Sequence, residues 1–203
     1  MTEEDIKLRY ITPAITSKWD VTHITMETRI TDGKINLKGN LVFREKPKRV
    51  DYVLYVNADN PIAIVEAKDN KHTVSSGLQQ AMTYAQMLDV PFAYSSNGDA
   101  FYEHDFLSGQ EREIPLTEFP SHDELLARYD AVKNPSDKEK RIISQPYYTS
   151  QTTYPPRYYQ RNAVNRTVDA IAKGQQRLLL VMATGTGKTY TAFQIVYRLL
   201  KSG

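Results

Sequence analysis

Two apolar runs of β character lie in the first third of the chain, and a short polar stretch separates them. The runs, 49–56 and 62–68, are rich in Val, Ile, Tyr and Leu. Two such runs joined by a short polar turn predict an antiparallel β-hairpin. If the four-residue turn 57–60 pairs Val56 with Pro61, the same register places Asp51 directly opposite Glu66, with Cβ atoms about 5 Å apart.

The chain ahead of this hairpin begins as a helix. Thr2 followed by three acidic residues is typical of a helix N-terminus, and Ile6 and Ile11 give the helix an apolar side. The acids Glu3–Asp5 have two interpretations. They complement the helix dipole, which is the favoured one, or they reach toward the carboxylates of the hairpin.

A second helical cap and then strands are predicted before the hairpin. Thr12-Pro13 is typical of the start of a short helix that continues to Ser17. Residues 22–30 alternate between polar and apolar, as a half-buried strand does, and Asp32-Gly33 is a hairpin turn signal. The basic residues 46–49 are equally well explained as a solvated turn or as a patch that contacts phosphate.

After the hairpin, the apolar spacing predicts a helix and two further strands. The helix is capped by Thr73 or Ser75, and its apolar stripe consists of Val74, Leu78, Ala81, Met82, Ala85 and Leu88. Strands follow near 92–95 and 100–104, with Asn97-Gly98 as the turn between them. A capping box at 121–124 opens another helix. The order of hairpin, helix and strands predicts an α/β fold.

The last quarter of the chain contains a second recognisable pattern. Residues 131–156 are rich in Lys, Asp, Ser, Pro and Tyr and are predicted to be a linker. An apolar strand is predicted at Leu178–Met182. It runs into a glycine-containing loop at 183–189, and a helix with apolar positions at Ala192, Ile195, Val196 and Leu199 follows. Strand, glycine loop and helix form the context in which a phosphate-binding P-loop occurs.

Composition excludes several classes of protein. The 203 residues are 40% hydrophobic and 25% charged, which is typical of an ordinary globular protein. The absence of cysteine excludes disulfides, thiolate metal sites and cysteine catalysis. No apolar run approaches the roughly 20 residues of a membrane span, and the acidic N-terminus lacks a signal peptide, so a cytoplasmic protein is expected. The net charge of +2 is too small to indicate nucleic-acid binding by itself.

The chemistry of the hairpin follows from its charged residues. Lys68 lies two residues beyond Glu66, so both side chains emerge on one face. Two carboxylates at this distance repel each other unless a cation lies between them, and oxygen ligands favour Mg²⁺. We expect Asp51, Glu66 and the Ala67 carbonyl to hold the ion, an arrangement suited to phosphodiester cleavage. A surface charge cluster is the alternative that this pattern alone leaves open.

The pattern Asp51, Glu66, Lys68 resembles the PD-(D/E)xK nuclease superfamily, although Val50 stands where that name has proline. On the following helix, Gln80 and Tyr84 are four residues apart and share one side. Such a Gln-x-x-x-Tyr pair is similar to the form found in the R subunit of type I restriction enzymes. The resemblance implies that the pair is needed for cleavage and that it contacts DNA or orients the lysine.

The loop at 183–189 resembles the phosphate loop of superfamily 2 helicases, in which Ala183 takes the place of the usual first glycine. The resemblance implies that residues 184–187 bind ATP phosphates, that Lys188 reaches the β and γ oxygens, and that Thr189 ligates Mg²⁺. It also implies that Gln160 reads the adenine base. The residues expected to bind the nucleotide are Gln160, Thr184, Gly185, Thr186, Gly187, Lys188 and Thr189.

A nuclease core placed before such a motor resembles the N-terminal part of a type I restriction R subunit. The opening segment 9–20 is similar to that family as well. The resemblance implies a restriction-endonuclease-like mixed sheet flanked by helices at 1–130, a linker at 131–156, and the start of a motor domain at 157–203. It also implies double-stranded DNA as substrate, ATP-driven translocation and association with methyltransferase and specificity subunits. Because later motor motifs are absent, the chain is expected to be a fragment.

The sequence leaves two alternative functions open. One is the nuclease domain of another superfamily 2 fusion, such as a type III-like restriction or repair helicase, in which the nuclease would not be expected to precede the motor. The other is a DNA-binding or docking module whose nuclease site has decayed. The intact Asp51, Glu66 and Lys68 argue against decay.

Overall fold

The architecture was analysed in a computed structural model of the whole chain. The structure describes residues 1–31, 46–57 and 59–203, together with the backbone of strands at 35–38 and 41–44. The turn expected at Asp32-Gly33 lies outside the described residues. The chain forms two compact units, Met1–Val132 (unit 1) and Lys133–Gly203 (unit 2). Each unit is described by itself.

Unit 1 is built on a mixed six-stranded sheet. Its spatial order is β1-β4-β5-β6-β7-β8, and β5 and β6 form its parallel pair. A separate two-stranded sheet pairs β2 with β3. The strands are β1 Ile24–Arg29, β2 Ile35–Lys38, β3 Leu41–Arg44, β4 Arg49–Asn57, β5 Asn60–Ala67, β6 Phe92–Ser96, β7 Ala100–Asp105 and β8 Gln110–Pro115. The mixed sheet flanked by helices confirms the predicted fold class.

The predicted hairpin is β4 and β5, and its register near the carboxylates is the predicted one. Tyr52 pairs with Val65, and the next two residues of β4 continue that register. Toward the turn the prediction is wrong, because Tyr55 pairs with Pro61 and β-bulges flank this pair. The strands therefore extend to Asn57 and Asn60, and the turn is shorter than the predicted four residues. A bulge placed at that end leaves the register at Asp51 unchanged.

The N-terminal segment is one continuous run of helix. It consists of α1 (Glu3–Ile6), a π-helical stretch (Lys7–Ile11) and α2 (Thr12–Thr16). The cap predicted at Thr12 is wrong, since the preceding residue already has helical backbone angles. The Thr12 hydroxyl instead lies 2.8 Å from the Tyr52 hydroxyl on β4. The helical run thereby contacts the sheet, and Ile6, Ile11 and Ile15 are buried in the core with Trp19.

Helix α3 (Leu78–Leu88) connects the parallel strands β5 and β6. A short 3-10 turn, Val74–Gly77, precedes it, and Thr73 makes no side-chain cap there. The buried residues of α3 are Leu78, Ala81, Tyr84, Ala85 and Leu88. The predicted stripe is therefore largely confirmed, with Tyr84 in addition. A connection between parallel strands requires such a crossover, and it brings α3 close to the end of β5.

Strand β8 was not predicted, because only Ile114 in it is buried and most of the other residues are charged or polar. Such a composition is typical of an edge strand, which pairs on one side only. Helix α4 (His122–Lys133) follows, and its predicted capping box is present, with Ser121 and Glu124 exchanging hydrogen bonds. Among the described residues, no helix is long and apolar enough to span a bilayer.

Unit 2 consists of three helices, α5 (Asp137–Ile143), α6 (Tyr158–Ala172) and α7 (Lys188–Lys201). Its small core contains Tyr147, Val164, Val168 and Ile195. The interval 131–156, predicted to be a linker, contains α5, whose N-terminus is closed by a capping box of Ser136 and Glu139. Five charged residues precede the two isoleucines of α5, and this dilutes the apolar signal from which a helix would be recognised.

The strand predicted at Leu178–Met182 is absent. Within residues 133–203, all of which the structure describes, there is no strand to pair with it. Leu179 and Val181 are 88% and 87% exposed. The prediction of a buried strand is wrong here, because a strand requires hydrogen-bonding neighbours, and unit 2 supplies none.

Candidate active site and phosphate loop

The two carboxylates of the hairpin are held together by its backbone. Asp51 lies near the start of β4 and Glu66 near the end of β5, and both are buried, at 9% and 2% exposure. The Asp51 N–H donates to Glu66 Oε1 at 3.4 Å, and the Ala67 N–H donates to Asp51 Oδ2 at 2.7 Å. The register thus brings both groups to one place.

Burial and proximity make Glu66 an unusual carboxyl group. Burial, and secondly the negative charge of Asp51, raise the pKa of Glu66 to about 8. The raised pKa means that the charged form of Glu66 is disfavoured where no cation is present. A bound cation would favour the charged form. The pair of carboxyls therefore has the electrostatic character of a cation-binding site.

Gln80 on α3 connects the other predicted catalytic residues. Its Nε2 donates to Glu66 Oε2 at 2.7 Å and lies 3.3 Å from the Tyr84 hydroxyl. Its Oε1 accepts from Lys68 Nζ at 3.2 Å. One amide side chain therefore ties Glu66, Lys68 and Tyr84 into a single hydrogen-bonded group. Burial raises the pKa of Tyr84, so its hydroxyl remains a proton donor.

Gly77 packs closely against Ser95 and the side chain of Lys68. A Cβ at residue 77 would lie 2.8 Å from Ser95 Oγ and 3.4 Å from the Cγ and Cε atoms of Lys68. The Gly77 N–H also donates to Ser95 Oγ, at 3.0 Å. The turn before α3 therefore packs directly on the lysine stem, and only glycine fits without displacing a neighbour.

Lys7, which was not among the predicted site residues, also lies at the site. Its side chain is 3% exposed, and its Nζ lies 2.6 Å from Asp51 Oδ1 and 2.8 Å from Glu27 Oε1. Burial alone would lower the pKa of Lys7, but hydrogen bonds to Asp51, Glu27 and Glu4 outweigh it and raise the pKa above its ordinary range. A signal existed, because Lys7 precedes the buried Ile11 by four residues, and that spacing places it on the buried helix face.

The N-terminal acids are placed in two different ways. Asp5 completes a capping box with Thr2, consistent with the favoured interpretation of helix-end stabilisation. Glu3 and Glu4 lie 3.4 and 3.0 Å from Lys7 Nζ. They approach the carboxylates of the hairpin through that lysine, and no direct contact with Asp51 or Glu66 is seen among the described atoms.

The basic segment before β4 lies beside the same site. Lys46, Lys48 and Arg49 are exposed. Lys48 Nζ lies 5.8 Å from the centre of the Tyr84 ring. At least one of these positive charges is thus close to the Gln80–Tyr84 pair, where a phosphate-contacting group is useful to a nuclease.

The residues at the site fit a magnesium ion chemically. The expected ligands, the two carboxylates and the Ala67 carbonyl, are all hard oxygens, which Mg²⁺ prefers, and waters complete its coordination. Within the described ranges, no group of three or more His, Cys, Asp or Glu side chains is arranged as a metal cage. Mg²⁺ is commonly held by one or two carboxylates and keeps several waters, so the two carboxyls present fit it.

The phosphate loop of unit 2 lies at the N-terminus of α7. Gly187 is the N-cap of this helix and has φ +82°, in the left-handed region that favours glycine. Lys188 Nζ donates to the Met182 carbonyl at 3.0 Å, and Thr186 Oγ1 donates to the Ala183 carbonyl. These contacts close the loop around the position where helix N–H groups converge, which suits anion binding.

Gln160, expected to read adenine, is engaged with the protein instead. Its Oε1 accepts from the Arg157 N–H at 2.9 Å, and its Nε2 donates to the Thr186 carbonyl at 2.9 Å. Gln160 therefore joins the start of α6 to the phosphate loop. Contact with a base would require one of these bonds to be exchanged, and its role in adenine recognition stays a prediction.

We expect Gly187→Ala to weaken nucleotide binding by about tenfold or more, which corresponds to a loss of about 1.4 kcal/mol in binding free energy. A Cβ at Gly187 would clash with Gln160 Nε2 and would break the link between α6 and the loop. Gly185→Ala is the matched control, because Gly185 also has positive φ (+79°) but its Cβ would meet no atom within 4 Å. Titration with a fluorescent ATP analogue measures both variants. Equal losses would show that backbone strain, and not Gln160, accounts for the effect.

Two protein-family models match the chain. Residues 16–120 match the family model described as type I restriction enzyme R protein N terminus, and residues 153–203 match one described as type III restriction enzyme, res subunit. The first match covers about half of the chain, including β4, β5 and α3. The second covers the phosphate loop and the helices on either side of it.

Individual relatives are consistent with the family models. The chain is 44% identical to the type I restriction enzyme EcoAI endonuclease subunit of Escherichia coli, over 100% of this chain and 26% of that protein. It is 29% identical to the EcoKI endonuclease subunit of E. coli strain K12, over 75% of this chain and 17% of that protein. The chain thus spans about a quarter or less of these relatives.

A solved structure is similar over the whole chain. The fragment structure of an HsdR subunit of a type I restriction enzyme from Vibrio vulnificus YJ016 has a TM-score of 0.88 and 39% identity. It matches 100% of this chain, which covers 38% of that one. With the family models and relatives, this similarity establishes that the chain belongs to the R (HsdR) subunit family of type I restriction enzymes, of which it represents the N-terminal part.

Proposed function

We propose that unit 1 cleaves DNA phosphodiester bonds with Mg²⁺, and that it does so as the nuclease part of a type I restriction system. The hydrogen-bonded group of Glu66, Gln80, Lys68 and Tyr84, with Asp51 joined to it through the hairpin backbone, carries the proposal. A surface charge cluster, the alternative left open by the sequence, does not account for two buried carboxyls beside each other.

Each residue has a role that its position supports. Asp51 and Glu66, with the Ala67 carbonyl, would hold the ion, which when bound supplies a polarised phosphate and an acidified water. Lys68 offsets negative charge that develops on the phosphate or orients the attacking water. Gln80 fixes the direction of the Lys68 ammonium and Glu66. Tyr84 and Lys48, which lie beside each other, are proposed to contact the DNA backbone.

Unit 2 is proposed to begin an ATP-driven motor. Lys188 and the backbone of the loop would bind the ATP phosphates, and Thr189 would ligate the accompanying Mg²⁺. In this proposal the motor moves double-stranded DNA before unit 1 cuts it. Methyltransferase and specificity subunits are the proposed partners, and the cytoplasm the proposed location. The N-terminal match to the type I family favours this assembly over another superfamily 2 fusion.

The second candidate function is a DNA-docking module without nuclease activity. An assay of nicking of supercoiled DNA in the presence of Mn²⁺ distinguishes the two candidate functions. It is carried out with an assembled R subunit that carries this chain. We expect cleavage that depends on the metal and that falls by at least about a hundredfold in Asp51→Ala, because a metal ligand is lost. Asp59→Ala, in the hairpin turn, is the control. No cleavage in the wild type would favour the docking module, and metal-independent cleavage would contradict the proposed role of Mg²⁺.

A further inference from the structure

The Lys7 ammonium lies against Asp51, one of the two carboxylates expected to bind the metal ion. Asp51 has two carboxylate oxygens, and Oδ2 already accepts the Ala67 N–H at 2.7 Å. The other oxygen, Oδ1, is the one that Lys7 Nζ approaches to 2.6 Å. The oxygen best placed to take a metal ion is thus the oxygen that the lysine holds.

The ammonium also contacts three acids that are not proposed metal ligands. Lys7 Nζ lies 2.8 Å from Glu27 Oε1, 3.0 Å from Glu4 Oε1 and 3.4 Å from Glu3 Oε1. If Asp51 were withdrawn from Lys7, three carboxylates would remain to balance the charge. A buried ammonium requires such partners, since burial of an unpaired charge is strongly unfavourable.

Glu27 is brought to this position by an irregularity of β1. Its neighbours keep the strand register, with Met26 opposite Tyr52 and Thr28 opposite Val50. Glu27 itself, between them, has φ +49°. A non-glycine residue in the left-handed region is uncommon and costs free energy, so the surrounding structure must hold it there. The irregularity lies beside Asp51, as expected if it serves the site.

We propose that Lys7 is a built-in counter-ion that competes with the divalent cation for Asp51 Oδ1, while Glu27 and Glu4 retain the ammonium once the metal takes that oxygen. This inference rests on the proposed function. Lys7 is a positioning residue in this scheme: it keeps the carboxylates paired in the absence of metal, and it sets how readily the metal enters.

The test is the affinity of the chain for Mn²⁺, measured by isothermal titration calorimetry at one pH. We expect Lys7→Met to bind Mn²⁺ at least about tenfold more tightly, because a positive charge within bonding distance of a metal ligand is removed. Lys173→Met is the matched control, since Lys173 pairs with Asp169 in unit 2, outside the proposed site. Unchanged or weaker binding in Lys7→Met would overturn the inference.

A second measurement in the wild type does not depend on the folding of Lys7→Met. The ¹⁵N resonance of the Lys7 ammonium, assigned by its loss in Lys7→Arg, should shift when Mg²⁺ is titrated in. A resonance that stays constant while the metal binds would exclude competition. Asp51→Asn distinguishes a failure of the proposed metal site from a failure of the inference about Lys7. If Mn²⁺ binding is absent from the wild type or unaffected by Asp51→Asn, the proposed function fails first, and with it the premise of the inference.

Discussion

Lys68→Ala is expected to reduce DNA cleavage by the assembled restriction enzyme by at least about a hundred- to a thousandfold, the usual effect of removing a group that stabilises charge in a transition state. The Nζ of Lys68 donates to the Gln80 side chain at 3.2 Å. The loss should appear in the rate of cutting and not in the folding of the hairpin, since Lys68 lies just beyond the end of β5 and is half-buried.

The proposed ATP-driven translocation should survive the same substitution. The phosphate loop lies in unit 2, whereas Lys68 lies in unit 1, and each unit has its own core. Translocation is measured by displacement of a DNA triplex, and cleavage by linearisation of circular DNA, in the same preparation. Lys71→Ala is the matched control, because Lys71 is an exposed lysine three residues along. Loss of translocation in Lys68→Ala would show instead that Lys68 has a structural role.

The sequence was sufficient to predict the parts of the site that depend on local patterns. The register that opposes Asp51 and Glu66 follows from two apolar runs and the polar residues between them, and the structure has this register at Tyr52 and Val65. The Gln80–Tyr84 spacing likewise follows from helix geometry, and the two side chains lie 3.3 Å apart. Patterns with a period fixed by the backbone are readable in this way because they do not depend on distant parts of the chain.

The features that were missed depend on contacts between distant segments. Lys7 lies on a helix 44 residues ahead of Asp51, and no local pattern relates the two. The backbone of Glu27 is irregular because of its surroundings, and its residue type does not favour that conformation. Leu178–Met182 has the composition of a strand but lacks partner strands in unit 2. In each case, tertiary contacts decide the outcome and sequence propensity does not.

A buried ion network in unit 1 was also missed, because its members come from four separate elements, β6, β7, β8 and α4. Glu103 on β7 is 1% exposed and accepts hydrogen bonds from Tyr94, Arg112 and Arg128. Arg128 on α4 also donates to Asp105 at 2.8 Å. Burial alone would raise the pKa of Glu103, but these hydrogen bonds outweigh it and hold the pKa below its ordinary value.

The depressed pKa links this network to pH. Because the folded state binds the Glu103 proton less readily than the unfolded state, the pairing stabilises the fold above the ordinary carboxyl pKa. The stabilisation is lost as the pH falls through the depressed value. The pKa of Asp105 is shifted in the same direction, since its contacts with Arg128 also outweigh burial and lower it. Unit 1 should therefore lose stability in acid partly through this network.

Arg128→Met is expected to lower the free energy of unfolding of unit 1 by about 3 kcal/mol at neutral pH. Removal of one partner from a buried pair leaves the other charge uncompensated, which costs about 3–5 kcal/mol. The Arg128 side chain is 29% exposed, so the lower end applies. Methionine can keep the apolar contact with Phe92, whose ring centre lies 4.5 Å from the guanidinium. The loss should shrink as the pH falls and Glu103 becomes protonated.

The measurement is urea unfolding followed by the fluorescence of Trp19, the single tryptophan of the chain, which is buried in unit 1. Arg112→Met is the matched control. Arg112 also donates to Glu103 Oε1, but its side chain is 56% exposed, so its loss should cost less than about 1 kcal/mol. Equal effects of the two substitutions, or an Arg128→Met loss that does not change with pH, would show that desolvated charge on Glu103 is not the cause. The stability of α4 would then depend on packing alone.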